Sequence, residues 1–432
     1  MAASVGDKVS VKTKDSAYEG TVMPTPEAEK DVLTIKLPSG YNLGIKLGKG
    51  VTVTKTGSIE KPKAMAIKAP VKKGLPNIVV IATGGTITSK VDYITGGVSP
   101  LTKPEELFLS VPELLDIVNI KRISSPFSVF SENMTPNEWQ IIAKEVASAL
   151  NESDVSGVIV THGTDTLHYT AAALSFMLKN LNKPVALVGG QRSSDRGSFD
   201  GSMNLICAAH YCKSHIAEVA IVMHGNSSDT FCLANRGTNV RKLHTSRRDT
   251  FRPINELPLA KIWLNGKVEI VNKNHKDRND EQKVTADTKF EDKIALIKFF
   301  PGADPEILQH FIDKKYKGVI IEATGLGQVA VHTINKSKSW LPVIKSAVQK
   351  GIFIGFTPQS IYGSLNPYVY SSARELLNAG VCYLGNMLSE TAYVKLGYVL
   401  AKSKNLEETK EMMQKNIAGE IVEQILPETF LY

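Results

Sequence analysis

Cysteine is scarce in this 432-residue chain, with only Cys207, Cys212, Cys232 and Cys382. None forms a CxxC pair, and no Cys/His cluster has the spacing of a zinc site. Four reduced, buried thiols are therefore expected, as in a reducing compartment. Long apolar runs are missing too. The longest, Asn77–Ala82 and Lys293–Phe300, fall far short of the roughly 20 residues that span a bilayer. Met1–Gly6 lacks the charged and apolar regions of a signal peptide, so a cytoplasmic location is expected. Arginine is absent from residues 1–75, where 13 lysines face 7 acids.

What is present is the composition of a globular protein of two or three domains, 42% hydrophobic and 22% charged. Such a chain buries sizeable cores without disulfide or metal staples, and wholesale disorder is excluded. Of the formal net charge of +8, +6 sits in residues 1–75. A basic module on a nearly neutral body suggests an acidic partner, nucleic acid first, against a merely solvated lysine-rich surface.

Residues 1–58 read as a small all-β barrel. Lys8–Lys12, Glu19–Pro24, Val32–Leu37 and Asn42–Lys46 are short β-branched or alternating runs, punctuated by turns such as Pro38-Ser-Gly40. Residues 59–75 hold two prolines and few large apolar side chains and read as a linker. From Pro76 apolar strands alternate with helical patterns. Asn77–Ala82, Val155–Val160, Val185–Val188 and Val219–Met223 are the strands, and Thr166–Asn180 has helical spacing. This predicts a parallel sheet covered on both faces, in residues 76–275. A second α/β stretch, residues 290–432, opens with strands at Ala295–Phe299, Gly318–Glu322 and Ile352–Phe356. Its helices are expected at Pro305–Lys314, Ser339–Lys350 and Ser371–Asn378. The polar segment Val268–Asp292 suits an interdomain connection.

Ligands bind such sheets at the carboxyl ends of their strands, and Thr, Gly, Asp and His collect there. Thr83-Gly-Gly-Thr86 could expose backbone N–H groups and present a nucleophilic hydroxyl if a base stood near, or it could be a tight turn with a capping threonine. Thr161-His-Gly-Thr164-Asp165-Thr166 follows the next strand and could be catalytic or an N-cap. Lys242 could complete a Thr–Lys–Asp relay, with Arg241, Arg247 and Arg248 as neighbouring cations that favour its neutral form, or it could be a solvated lysine in a basic loop. No phosphate-binding loop is present.

Ile81-Ala-Thr-Gly-Gly-Thr-Ile87 and Thr161-His-Gly-Thr-Asp-Thr166 together resemble the two signatures of the bacterial-type L-asparaginase family. The spacing to Lys242 agrees, and the resemblance covers Pro76–Thr429. It implies two asparaginase-like α/β domains that hydrolyse a side-chain carboxamide to a carboxylate and ammonia. Thr86 would be the nucleophile, with Thr164, Asp165 and Lys242 as a companion triad; the order in which the threonines attack stays open. Backbone N–H groups near Gly163–Thr164 would stabilise the oxyanion. Ser131 would bind the substrate carboxylate, and Glu132 and Asp165 its ammonium. Family members carry a tyrosine on a mobile lid past the nucleophile; Tyr93, nearer the nucleophile than usual, could be that lid residue with Gly96-Gly97 after it as hinges, or an ordinary loop aromatic. No metal or organic cofactor is implied.

Phe130-Ser-Glu-Asn-Met-Thr-Pro136, Tyr362-Gly-Ser-Leu-Asn-Pro-Tyr-Val-Tyr370 and Met387–Leu396 are similar to the D subunits of archaeal glutamyl-tRNA(Gln) amidotransferases. That resemblance implies a glutaminase that supplies ammonia to the E subunit of the same enzyme. The E subunit, with ATP and Mg, would convert Glu-tRNA(Gln) to Gln-tRNA(Gln). A homodimer within a two-plus-two heterotetramer is the implied assembly. A free-standing asparaginase with an accessory barrel is the alternative. A non-catalytic RNA-binding relic is disfavoured by the presence of Thr86, Thr164, Asp165 and Lys242 together.

Overall fold

The computed structural model describes residues 3–25, 31–39, 41–58, 71–85, 87, 89–91, 98–100, 111–194 and 198–432. Thr86, Tyr93 and most of the linker lie outside the described residues.

The N-terminal unit is five antiparallel strands, Asp7–Lys12, Ala17–Met23, Val32–Lys36, Asn42–Lys46 and Thr52–Ser58. Their spatial order is fourth, third, second, first, fifth. Val9, Val11, Val22, Leu33, Ile35 and Ile45 form its core, to which, among the described residues, only those up to Val53 contribute. Val11 and Ile35 are fully buried, so the sheet curls to cover its own apolar face. Among the described residues no ladder joins the two outer strands, and the barrel keeps an open seam. The end of the linker is tied to the next unit, where Lys72 N–H donates to Asn119 Oδ1 (2.8 Å) and Asn119 Nδ2 donates to the Leu75 carbonyl (3.0 Å).

The next unit centres on an eight-stranded sheet. Across the sheet lie Val268–Ile270, Ala260–Trp263, Phe231–Arg236, Val219–His224, Val185–Val188, Val155–Thr161, Asn77–Ala82 and Asn119–Ser124. The last five are mutually parallel. The first three run antiparallel, so the sheet is mixed where a wholly parallel one was expected. In Asn77–Ala82, Val79 and Ile81 face one core and Ile78 and Val80 the other. A strand covered on both faces needs apolar residues at every position, which is why it reads as an unbroken run. Each such side chain contributes roughly 1.5–3 kcal/mol.

Helix Gly201–Cys212 covers one face and helices Pro136–Leu150 and Leu167–Met177 the other. Pro136–Leu150 starts at a Thr135/Glu138 capping box with proline in its first turn, and it buries Trp139, Ile142, Ala143, Val146 and Leu150. Leu167–Met177 is buried all round because helix Ser389–Leu400 of the C-terminal domain packs on its far side. That domain is a four-stranded parallel sheet in the order Ile294–Lys298, Gly318–Ala323, Phe353–Pro358, Cys382–Tyr383. Helices Glu306–Asp313, Leu341–Gln349 and Ser371–Asn378 cover its outer face. Its inner face shares a core with the first domain.

Among the described residues no helix is long and apolar enough to cross a membrane. All four cysteines are buried free thiols. Burial pushes Cys382 up to about 12.

Candidate active site

Parallel pairing brings the strand ends together. Ala82 sits beside Thr161, and Thr161 beside Val188. The three segments that leave the sheet there, beginning at Thr83, His162 and Gly189, therefore share one edge. Thr83 is fully buried, with its N–H (3.1 Å) and Oγ1 (2.9 Å) both donating to the Thr161 carbonyl.

Gly84 and Gly85 have φ of +106° and +84°, a backbone region that glycine adopts without penalty. Both positions are also closed to side chains. A Cβ on Gly84 would strike the Val129 backbone, and one on Gly85 would strike the backbone of Gly163. The loop that precedes Thr86 thus lies directly on the Gly163 loop. Gly163 in turn has no room for a Cβ, which would lie 2.8 Å from Ser131 Oγ. Ser131 is buried in a short 3-10 turn, Ser131–Asn133. Its carbonyl accepts from Thr166 Oγ1 at 2.8 Å. Glu132 follows it on the exposed side of that turn.

His162 orients the Gly163–Thr164 peptide. Its Nδ1 lies 2.7 Å from the Gly163 carbonyl, and its Nε2 lies 2.9 Å from Thr170 Oγ1. A carbonyl only accepts, so Nδ1 carries the proton and Nε2 accepts from Thr170. Burial drives this imidazole down to about 4, and it is neutral at ordinary pH. The Gly163 carbonyl is held toward His162, and the trans peptide directs the Thr164 N–H the opposite way.

Lys242 arrives from elsewhere in the chain. It ends strand Val240–Lys242, which pairs with Phe251–Pro253 as a hairpin. Its Nζ lies 2.9 Å from Thr164 Oγ1 and 2.6 Å from Asp165 Oδ1. Thr164 is buried, the lysine side chain is 10% exposed and that of Asp165 68%. An amine in this position can hand a proton to, or take one from, the threonine hydroxyl, with the carboxylate balancing its charge. The third strand end closes the back of the site, since a Cβ on Gly189 would sit 2.6 Å from Thr164 Cγ2.

The three neighbouring arginines are not free cations beside Lys242. Arg241 pairs with Glu390 (2.9 Å), Arg247 with Asp249 (2.8 Å) and Arg248 with Asp229 (3.0 Å). Each guanidinium is paired with a carboxylate, Asp249 being shared with Arg252 (2.6 Å), which offsets part of the field expected from them. Thr164, Asp165, Lys242, Gly163 and Ser131 are brought to one place. Thr86 and Tyr93 are outside the described residues. Reading the sequence missed Gly189, His162 and the Arg241–Glu390 contact. The Gly189-Gly190 pair ending an apolar strand was a signal for the first. His162 lay inside a motif whose threonines and aspartate drew the attention. Nothing local in sequence marks Glu390.

Two α/β domains joined in this way, with a Thr–Lys–Asp cluster at the sheet edge, define an asparaginase-type amidohydrolase fold. The model of the asparaginase N-terminal domain matches residues 77–276, and that of the glutaminase/asparaginase C-terminal domain matches 293–413. The chain resembles the thermostable L-asparaginase from Thermococcus kodakarensis, with a TM-score of 0.70 and 26% identity over 81% of this chain and 100% of that one. It also resembles L-asparaginase I from Vibrio cholerae, with a TM-score of 0.68 and 28% identity over the same shares.

The remaining segment, residues 3–55, matches the GatD N-terminal domain. The D subunit of the glutamyl-tRNA(Gln) amidotransferase from Pyrococcus abyssi is 49% identical over 99% of this chain and 97% of its own length. Its counterpart from Pyrococcus furiosus is 50% identical over the same shares, and that from Methanopyrus kandleri 43% identical over 97% and 92%. The chain belongs to the family of glutamyl-tRNA(Gln) amidotransferase D subunits.

Proposed function

We propose that this chain is the glutaminase component of a tRNA-dependent amidotransferase, in which a threonine nucleophile opens the glutamine carboxamide. The observation that carries the reading is Lys242 Nζ placed between Thr164 Oγ1 and Asp165 Oδ1, in a chain similar to amidotransferase D subunits along almost their whole length. Thr86 Oγ attacks the carboxamide carbon and its proton leaves with the departing nitrogen as ammonia. The resulting acyl-enzyme is cleaved by water to glutamate. Thr164, once its proton passes to an unprotonated Lys242, acts as the companion base or nucleophile. The Thr164 N–H, with its direction set by His162, donates to the oxyanion. Ser131 and Glu132 take the carboxylate and ammonium of the substrate, and Asp165 shares the latter. Tyr93 serves as the lid.

Ammonia passes to a partner, the E subunit, which uses ATP to convert Glu-tRNA(Gln) to Gln-tRNA(Gln). The chain itself holds no cofactor in this scheme. Two copies of each component make up the assembly.

The test is ammonia release from glutamine and from asparagine, by the chain alone and with the E subunit plus Glu-tRNA(Gln). Glutamine hydrolysis that rises with the complex is the expected result. Brisk asparagine hydrolysis by the chain alone, indifferent to tRNA, would make it a free-standing asparaginase instead.

A further inference from the structure

A buried carboxylate joins the two domains beside Arg241, the neighbour of Lys242 on the hairpin strand. Glu390 lies in the first turn of helix Ser389–Leu400 and is 5% exposed. Its Oε1 is 2.9 Å from Arg241 Nη2 and 4.0 Å from His168 Nε2. Arg241 precedes Lys242 on the hairpin strand. His168 lies in the first turn of helix Leu167–Met177, which begins just after Thr164-Asp165-Thr166. One carboxylate of the second domain therefore reaches both segments of the first that carry the Thr164–Asp165–Lys242 cluster.

Burying this carboxylate is unfavourable. Burial pushes Glu390 up, and the Arg241 guanidinium opposes that. His168 does not help as a cation, because burial, with Arg241 and Lys242 adding to it, drives it down to about 3. Among the described residues, neither Glu390 Oε2 nor His168 Nδ1 has a hydrogen-bond partner. A buried ion pair of this kind contributes little or no net stability compared with an apolar pair of the same volume. Its geometry, however, does something an apolar pair could not. Successive side chains of a strand point to opposite faces. Arg241 and Lys242 are therefore opposed, and gripping one fixes the rotation that aims the other.

We propose that Glu390 is a positioning residue: by holding Arg241 against the second domain it fixes the twist of the hairpin and keeps Lys242 Nζ over Thr164 and Asp165. The assignment rests on the reading of that cluster as part of the glutaminase site. Glu390 acts through Arg241 and Lys242 and does not meet the substrate.

The experiment is steady-state ammonia release from glutamine by the full amidotransferase complex carrying Glu390→Gln, assayed well below each variant's melting temperature. A misaimed base predicts a fall in kcat of about 10- to 100-fold with KM within about twofold. Arg241→Gln should show the same split. The double variant should be no worse than the poorer single, because both singles break one contact. A wild-type kcat, a loss confined to KM, or additive losses in the double variant would each overturn the assignment. Should Glu390→Gln fail to fold, Arg241→Gln alters the same contact from a partly exposed side chain and is judged by the same kcat criterion. A wild-type complex inert toward glutamine overturns the function reading and this assignment with it. An active wild type with an indifferent Glu390→Gln variant overturns the assignment alone.

Discussion

Gly189→Ala places one methyl group against the back of the proposed site. The new Cβ would lie 2.6 Å from Thr164 Cγ2 and 3.1 Å from the His162 carbonyl oxygen. Carbon atoms rest about 3.5–4.0 Å apart, so Thr164 must yield by about 1 Å or the strand end must shift. Thr164 is buried, and its Oγ1 is bonded to Lys242. A displacement of about 1 Å at a reacting group costs about 100-fold in rate. Overpacking costs only about 1–3 kcal/mol in stability, which a chain of this size survives. The assay compares kcat for glutamine-dependent ammonia release with urea unfolding of the same preparation. Gly48→Ala is the control, since nothing lies within 4 Å of its Cβ position. A folded Gly189→Ala enzyme with undiminished kcat would refute the argument that Thr164 needs its present position.

Three further outcomes are expected. Lys395 and Glu420 form a fully buried pair at 2.6 Å, so Lys395→Met should destabilise the chain by about 3–5 kcal/mol. Adding Glu420→Gln should recover part of that in urea titrations, and a further loss would contradict it. His162 and His168 are held neutral by burial, near about 4 and about 3 against 6.5 when unfolded. The unfolded chain binds more protons between those values, so stability falls as pH drops through that window. From pH 7.5 to pH 5, above the range in which most carboxylates titrate, the loss should be about 2 kcal/mol per histidine. Unfolding midpoints that stay constant or rise would contradict it. Removal of residues 1–70 should leave the melting of the remaining body and its basal hydrolysis intact while weakening the complete amidotransferase reaction, because the N-terminal core is closed on itself. Failure of the truncated chain to fold would show that the linker reading is wrong.

The sequence was most legible where burial is two-sided. Asn77–Ala82, Val155–Thr161, Gly318–Ala323 and Phe353–Pro358 are covered on both faces, and their unbroken apolar runs announce them. Helix Ser371–Asn378, with one buried and one exposed face, shows the 3.6-residue period at its observed bounds. Gly201–Cys212 and Ser389–Leu400 are buried nearly all round, polar side chains included, and have no exposed face to set the period. The antiparallel edge was missed for a related reason. Phe231–Arg236 and Ala260–Trp263 carry polar residues that look like loop, yet Asn235 and Arg236 are buried, the arginine held by Glu218 at 2.7 Å and Glu256 at 3.0 Å.

At the site, Thr164 and Asp165 are adjacent in sequence, whereas Lys242 and Glu390 reach them only through tertiary structure. Spacing alone could not separate Lys242 from a solvated loop lysine. Its family resemblance singled it out, and the hairpin geometry shows how it gets there. Glu390 had no signal short of the packed domains.

The most direct test of the central claim is Lys242→Met in the complete amidotransferase complex, with formation of Gln-tRNA(Gln) measured separately from glutamine and from ammonium chloride. Loss of the glutamine-driven reaction by a factor on the order of 100 or more, with the ammonium-driven reaction intact, is the result predicted. A variant that still uses glutamine at the wild-type rate would contradict the assignment of Lys242, Thr164 and Asp165 as the group that releases ammonia.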